Sequence, residues 1–164
     1  MRSAVYVETS IISYLAARPS RDLIVAARQQ VTHTWWRDRR PLFDLYVSQV
    51  VLDEVRAGDP EAAERRVALL AGLPVLDITP EVAEVAAALI ARVPLPPRDG
   101  ADAAHIAVAA YHGIDSLLTW NSAHIANAEL RPRVEQVCRE SGYRPPGLCT
   151  PDELMGEDNA RDSE

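Results

Sequence analysis

Lysine is absent from this chain: all 17 of its basic residues are arginine. Wherever the protein meets an anion it therefore relies on planar guanidinium groups, whose fork grips phosphate oxygens in pairs. Cysteine is scarce. Cys138 and Cys149 form no CxxC pair and cannot brace a secreted fold, so a disulfide framework is excluded and both thiols are expected to be reduced and structural. No stretch approaches the ~18 apolar residues of a membrane span. The amino terminus, MRSAVYVETS, carries a carboxylate at position 8 and no apolar run of signal-peptide length. These absences predict a cytoplasmic protein that does not enter membranes.

What is present is enough for one core. With 48% hydrophobic residues in 164, the chain is expected to form a single domain over residues 1–155, followed by an acidic tail, 156–164, that is too polar to pack and is expected to be disordered. The formal charge of -7 argues against a nucleic-acid partner, which usually meets a basic face. Its distribution weakens that objection. From Pro151 onward six acids face only Arg161, a balance of -5, so residues 1–150 carry -7 minus -5, or -2.

Periodicity and punctuation point to alternating strands and helices. Ala4 to Val7 is short, apolar and bounded by polar residues, as a buried strand is. Thr9 or Ser10 can cap a helix to about Ala17, which Pro19 ends. Ser20 is expected to start a second helix of roughly five turns with Leu23, Ala27, Val31 and Trp35 on one stripe. Phe43, Leu45 and Val47 alternate as a second strand. Ser48 and Asp59 cap the helices ending near Gly58 and Gly72, and Pro74 to Ile78 reads as a third strand. Thr79 and Pro80 open a helix that turns Val82, Val85, Leu89 and Val93 inward. After the stiff segment PLPPRDG, Asp99 is expected to cap a helix from Gly100 to His112. Strands at Ser116–Trp120 and Leu148–Thr150 flank a helix near Arg133–Glu140. This order implies right-handed crossovers and a three-layer α/β/α sandwich around a mainly parallel sheet of four to five strands.

Four polar residues, Glu8, Glu54, Asp102 and Asn121, sit where a strand hands over to a helix or near a helix start. In a parallel sheet those handovers share the carboxyl edge, where open α/β folds bind ligands. Three carboxylates and an amide gathered there suit a hard divalent cation, magnesium or manganese. Each residue also has a plainer explanation. Glu8 can complement a helix's positive end, Glu54 can be a solvated helical glutamate, Asp102 can help cap its helix, and Asn121 can form a turn. Asp102 stands out because ADAAHIAVAA is so apolar that an unpaired charge there is costly. His33, His105, His112 and His124 show no metal-ligand spacing, and His105, one turn beyond Asp102, is expected to orient that acid.

The segments YVETSIISYL (6–15), SQVVLDEV (48–55), ADAAHIAVA (101–109) and LLTWNSAHIAN (117–127) resemble the PIN domain, in the version found in VapC-type toxins of type II toxin-antitoxin pairs. The resemblance spans Val5 to about Leu154. It implies a magnesium- or manganese-dependent endoribonuclease with Glu8, Glu54 and Asp102 as principal metal acids and Asn121 at the fourth position. It implies hydrolysis of an RNA phosphodiester by an activated water, with Asp102 or Glu8 able to accept the proton. It also implies a homodimer and a small antitoxin partner. Two departures matter. The first position is usually aspartate, one methylene shorter than Glu8, and the fourth is often an acid, so Asn121 lowers the charge of the site.

Residues 18–40 hold Arg18, Arg21, Arg28, Arg37, Arg39 and Arg40 with Trp35 and Trp36. Arginine and tryptophan together can grip phosphates and stack on unpaired bases, which makes Arg18, Arg21, Arg28 and Trp35 candidate RNA contacts, alongside Ser10 near Glu8. The same segment also reads as an ordinary amphipathic helix whose tryptophans pack inward. The alternative to the enzyme is a catalytically weak PIN-like domain that binds RNA or protein without cutting it. A small phosphohydrolase is disfavoured by the lack of a Walker loop or a DxD nucleophile motif.

Overall fold

A computed structural model describes residues 2–95, 100–121, 125 and 127–156. The expectations for Asp99 as a cap, for His124 and for the tail beyond 156 lie outside the described residues. The strands are β1 (Ala4–Val7), β2 (Asp44–Ser48), β3 (Val75–Leu76), β4 (Ser116–Leu118) and β5 (Gly147–Cys149). They pair in the order β3-β2-β1-β4-β5, every pair parallel, with Tyr6 opposite both Tyr46 and Leu117. β1 is central because Val5, Tyr6 and Val7 are apolar enough to be covered on both faces, and all three are fully buried.

Among the described residues seven α-helices lie between the strands: α1 (Thr9–Ala16), α2 (Leu23–Thr34), α3 (Gln49–Val55), α4 (Pro60–Leu69), α5 (Pro80–Arg92), α6 (Ala101–Tyr111) and α7 (Arg131–Glu140). Right-handed crossovers put α1 to α4 on one face and α5 to α7 on the other. The packing agrees, since α1 touches α2, α3 and α4 while α5 touches α6 and α7. The result is the expected three-layer α/β/α sandwich. α6 is its most deeply set helix: Ala103, Ile106, Ala107, Val108 and Ala109 have no exposed surface, and their small side chains allow close approach. Gly100 enters α6 with φ 66°, and an added Cβ would lie 3.0 Å from Ile90 Cδ1, so glycine sets how Asp102 is presented.

Several local expectations are corrected. α1 is capped by Glu8, not by Thr9 or Ser10. α2 starts at Leu23 rather than Ser20, because the Asp22 carboxylate accepts from the amides of Ile24 and Val25, while Ser20 Oγ accepts from Asp22 N. Its stripe is not one face of the core: Leu23 is 86% exposed, whereas Trp35 is fully buried. A π-helical turn at Trp35–Arg39 follows α2 without a break and is succeeded by a 3₁₀ turn at Arg40–Leu42. Within it Trp35 stacks on Phe43 and donates Nε1 to the carbonyl of Leu154 at 3.2 Å. β3 is shorter than Pro74–Ile78, β4 ends before Trp120, α7 starts at Arg131 and β5 at Gly147. Both cysteines are free.

Candidate active site

The strand order reverses between β1 and β4, which makes the carboxyl ends of those strands the natural crevice of the sheet. Glu8 leaves β1 there, its amide donating to the carbonyl of Leu118 at 3.0 Å. Its side chain turns back over α1 and is 6% exposed. Oε2 accepts from Ser10 N (2.9 Å), from the Ser10 hydroxyl and from Thr119 Oγ1 (2.8 Å). Charge-assisted bonds of this kind are what a buried carboxylate requires. Oε1 takes no hydrogen bond among the described residues.

The same hydroxyls fasten the exit of β4. Ser10 Oγ accepts from Trp120 N at 2.9 Å, and Thr119 Oγ1 accepts from Asn121 N at 2.9 Å. Asn121 in turn donates Nδ2 to Asp102 Oδ1 at 3.2 Å. Glu8, Thr119, Asn121 and Asp102 thus form one continuous chain from β1 through β4 to the first turn of α6.

Glu54 approaches from α3. Its Oε1 accepts from Thr9 Oγ1 at 2.8 Å and from His105 Nε2 at 2.6 Å, while 37% of its side chain stays exposed. Burial pushes its carboxyl up, but the hydrogen bonds from His105 and the Thr9 hydroxyl outweigh burial and hold it below the usual carboxylate range. His105 orients Glu54, not Asp102 as its spacing suggested: the imidazole points from α6 toward β1, with Nδ1 2.7 Å from the Tyr6 hydroxyl. Tyr6 reaches Ser48 Oγ at 2.7 Å, and burial, above all, holds its phenol well above the usual range.

The remaining candidates separate. Arg28 lies with its guanidinium 5.3 Å from the ring centre of Trp120, beside Asn121, and so borders the site. Arg18 and Arg21 are exposed just before α2. Trp35 is wholly buried and presents no face to a base, which corrects its reading as an RNA contact. An open cavity of about 510 Å³ beside the site is lined by Leu23, Ile24, Ala27, Val31, Arg28 and Trp120, with Asp152 at its rim. Another of about 530 Å³ lies at the opposite end of β2, where Arg40 stacks on Trp36. Thr119 and Tyr6 carry no role in the sequence analysis, and Thr9 and Ser48 stand there only as helix caps, not as partners of the site. Their signal was polar atoms in otherwise apolar buried runs, which oblige hydrogen-bond partners.

Among the described residues no three His, Cys, Asp or Glu side chains stand close enough to hold a metal ion as they are placed. The acids are joined through hydroxyls, an amide and an imidazole rather than packed side by side. The donor set itself suits a hard cation: three carboxylates and an amide oxygen, no sulfur, and one oxygen on each of Glu8 and Glu54 without a hydrogen bond among the described residues.

The PIN domain model matches residues 5–130, and the chain belongs to the PIN domain family, whose members are generally nucleases. Among solved structures, the chain is similar to the crystal structure of VapBC2 from Rickettsia felis bound to a DNA fragment from their promoter. That match has a TM-score of 0.60 and 13% identity, over 90% of this chain and 98% of the other, a likeness of fold. No curated protein matches the sequence.

Proposed function

We propose that this PIN domain is a magnesium- or manganese-dependent endoribonuclease and the VapC-type toxin of a type II toxin-antitoxin pair. The observation that supports this reading is the placement of Glu8, Glu54, Asp102 and Asn121 on four separate elements along the carboxyl edge of a parallel sheet, Glu8, Asn121 and Asp102 linked through Thr119 and Glu54 bonded to Thr9, the residue after Glu8. In the proposal Glu8, Glu54 and Asp102 hold the metal with Asn121 at the fourth position. When bound, the ion supplies water activation and charge neutralisation at the scissile phosphate. Ser10 and Thr119 keep Glu8 aimed, Asp102 or Glu8 takes up the proton, and Arg28, with Arg18 and Arg21 beyond it, binds the phosphates of single-stranded RNA. The exposed Leu23 and Ile24 at the apolar cavity beside Trp120 support a seat for the antitoxin next to the site. A second copy of the chain and a cytoplasmic setting complete the proposal.

The test is cleavage of single-stranded RNA by the purified protein with manganese. Asp102→Asn is expected to lower the rate at least about 100-fold, since charge stabilisation by a bound metal is worth several kcal/mol. Unchanged cleavage defeats the proposal. The separation of the acids into hydrogen-bonded groups favours one rival, a weakly catalytic PIN-like domain that binds RNA without cutting it. For that protein RNA binding persists with no manganese-dependent cleavage in either form.

A further inference from the structure

We infer that Tyr6 and His105 are positioning residues for Glu54, forming a buried relay that fixes which ring nitrogen of His105 carries the proton and so aims the carboxylate; the inference rests on the nuclease reading above. His105, Tyr6 and Ser48 are all fully buried, and they link β1, β2, α3 and α6 in one chain of hydrogen bonds.

Donor counting sets the direction of that chain. The Glu54 carboxylate can only accept, so His105 Nε2 bears the hydrogen that spans 2.6 Å. At the far end Val50 N donates to Ser48 Oγ at 3.2 Å, leaving the serine hydrogen to reach the Tyr6 oxygen. Tyr6 then donates its own hydrogen to Nδ1, which must be bare. In the reverse order, with a proton on Nδ1, the Ser48 hydrogen has no acceptor among the described residues in a fully buried position. The satisfied arrangement is the neutral ring with hydrogen on Nε2.

An apolar side chain would fill this space without a network to satisfy, yet the polar chain ends on Glu54, whose bonded oxygen is held by the side chains of Thr9 and His105, whereas Glu8 is held in part by the Ser10 amide. With Oε1 fixed by His105 and Thr9, the conformational freedom of a half-exposed glutamate is removed and Oε2 is left to a ligand. The geometry is that of an outer-shell histidine that orients a metal-binding carboxylate.

Three single variants test the relay with readouts other than cleavage. The glutamine amide in His105→Gln reaches the Nε2 position and keeps the bond to Glu54, whereas His105→Asn reaches only the Tyr6 side. Manganese affinity of the RNA-free protein, measured by calorimetry, is expected to fall about 10- to 100-fold in His105→Asn and to stay within about threefold of wild type in His105→Gln. Nitrogen-15 spectra of the imidazole are expected to show the Nε2–H tautomer in wild type and a mixture in Tyr6→Phe, a readout that a space-filling role would not move. An Nδ1–H ring in wild type, or equal manganese affinity in a folded His105→Asn, overturns the inference. Wild type that binds manganese but cuts no RNA defeats the nuclease reading alone. Wild type that binds no manganese defeats the metal reading, and the imidazole spectra then decide the relay.

Discussion

Glu8 and Glu54 stand at the same sheet edge and are held by opposite means. Glu8 is buried, and two of the three donors on its Oε2 belong to Ser10, two residues along the chain. Glu54 is half exposed and is held through His105, 51 residues away, which leans on Tyr6 and Ser48. The first acid is part of the fold's local stitching, a helix cap that also faces the crevice. The second is placed by the packing of α3 against α6. Removing Glu8 is therefore expected to unsettle the fold directly at the start of α1, while removing Glu54 acts on it only through the bonds to Thr9 and His105.

The sharpest test of that contrast is stability. Glu8→Ala is expected to cost about 3 kcal/mol in denaturant unfolding, because it removes a cap and leaves the Ser10 and Thr119 hydroxyls buried without their acceptor. Glu54→Ala is expected to cost only about 1 kcal/mol. The reverse order would show that Glu54, not Glu8, is the structural acid. Next in size is Gly100→Ala, which puts a side chain at φ 66° and 3.0 Å from Ile90 Cδ1. A loss of about 1–2 kcal/mol, read from the same unfolding curves, is expected for the left-handed backbone. An unchanged midpoint would mean the turn before Asp102 can rearrange at no cost. Thr119→Val is expected to lose about 1 kcal/mol while leaving the bonds of Glu54 untouched.

The smallest effect is in acid. Because the folded Glu54 carboxyl releases its proton more readily than the unfolded one, the folded state binds fewer protons below the ordinary value of 4.5. Its contribution is present above that pH and is lost as pH falls through the lowered folded value. Glu54→Gln is expected to flatten this part of the pH-stability curve, and a curve as steep as wild type would place the shift elsewhere.

Much of the frame was legible because it is written locally. Ala4–Val7, the caps Ser48, Asp59 and Thr79, and the inward row Val82, Val85, Leu89 and Val93 all lie where pattern and capping chemistry put them. α2 misled because periodicity marks a stripe without saying what covers it: Leu23 faces outward and Trp35 inward on the same spacing. Glu8, Glu54, Asp102 and Asn121 could be chosen from strand-to-helix handovers, since a parallel sheet collects those points on one edge. The partner of His105 could not, because two side chains one helical turn apart can point to different neighbours.

Alone, the amino-acid sequence determined the alternation of strands and helices, the parallel sheet and the set of polar residues at its carboxyl edge. Hydrophobic period, capping groups and crossover handedness are short-range properties. Tertiary structure decided which hydroxyls hold Glu8, that His105 serves Glu54 rather than Asp102, and that Trp35 is core. Those outcomes depend on how side chains far apart in the chain satisfy one another's hydrogen bonds and volume once the layers close.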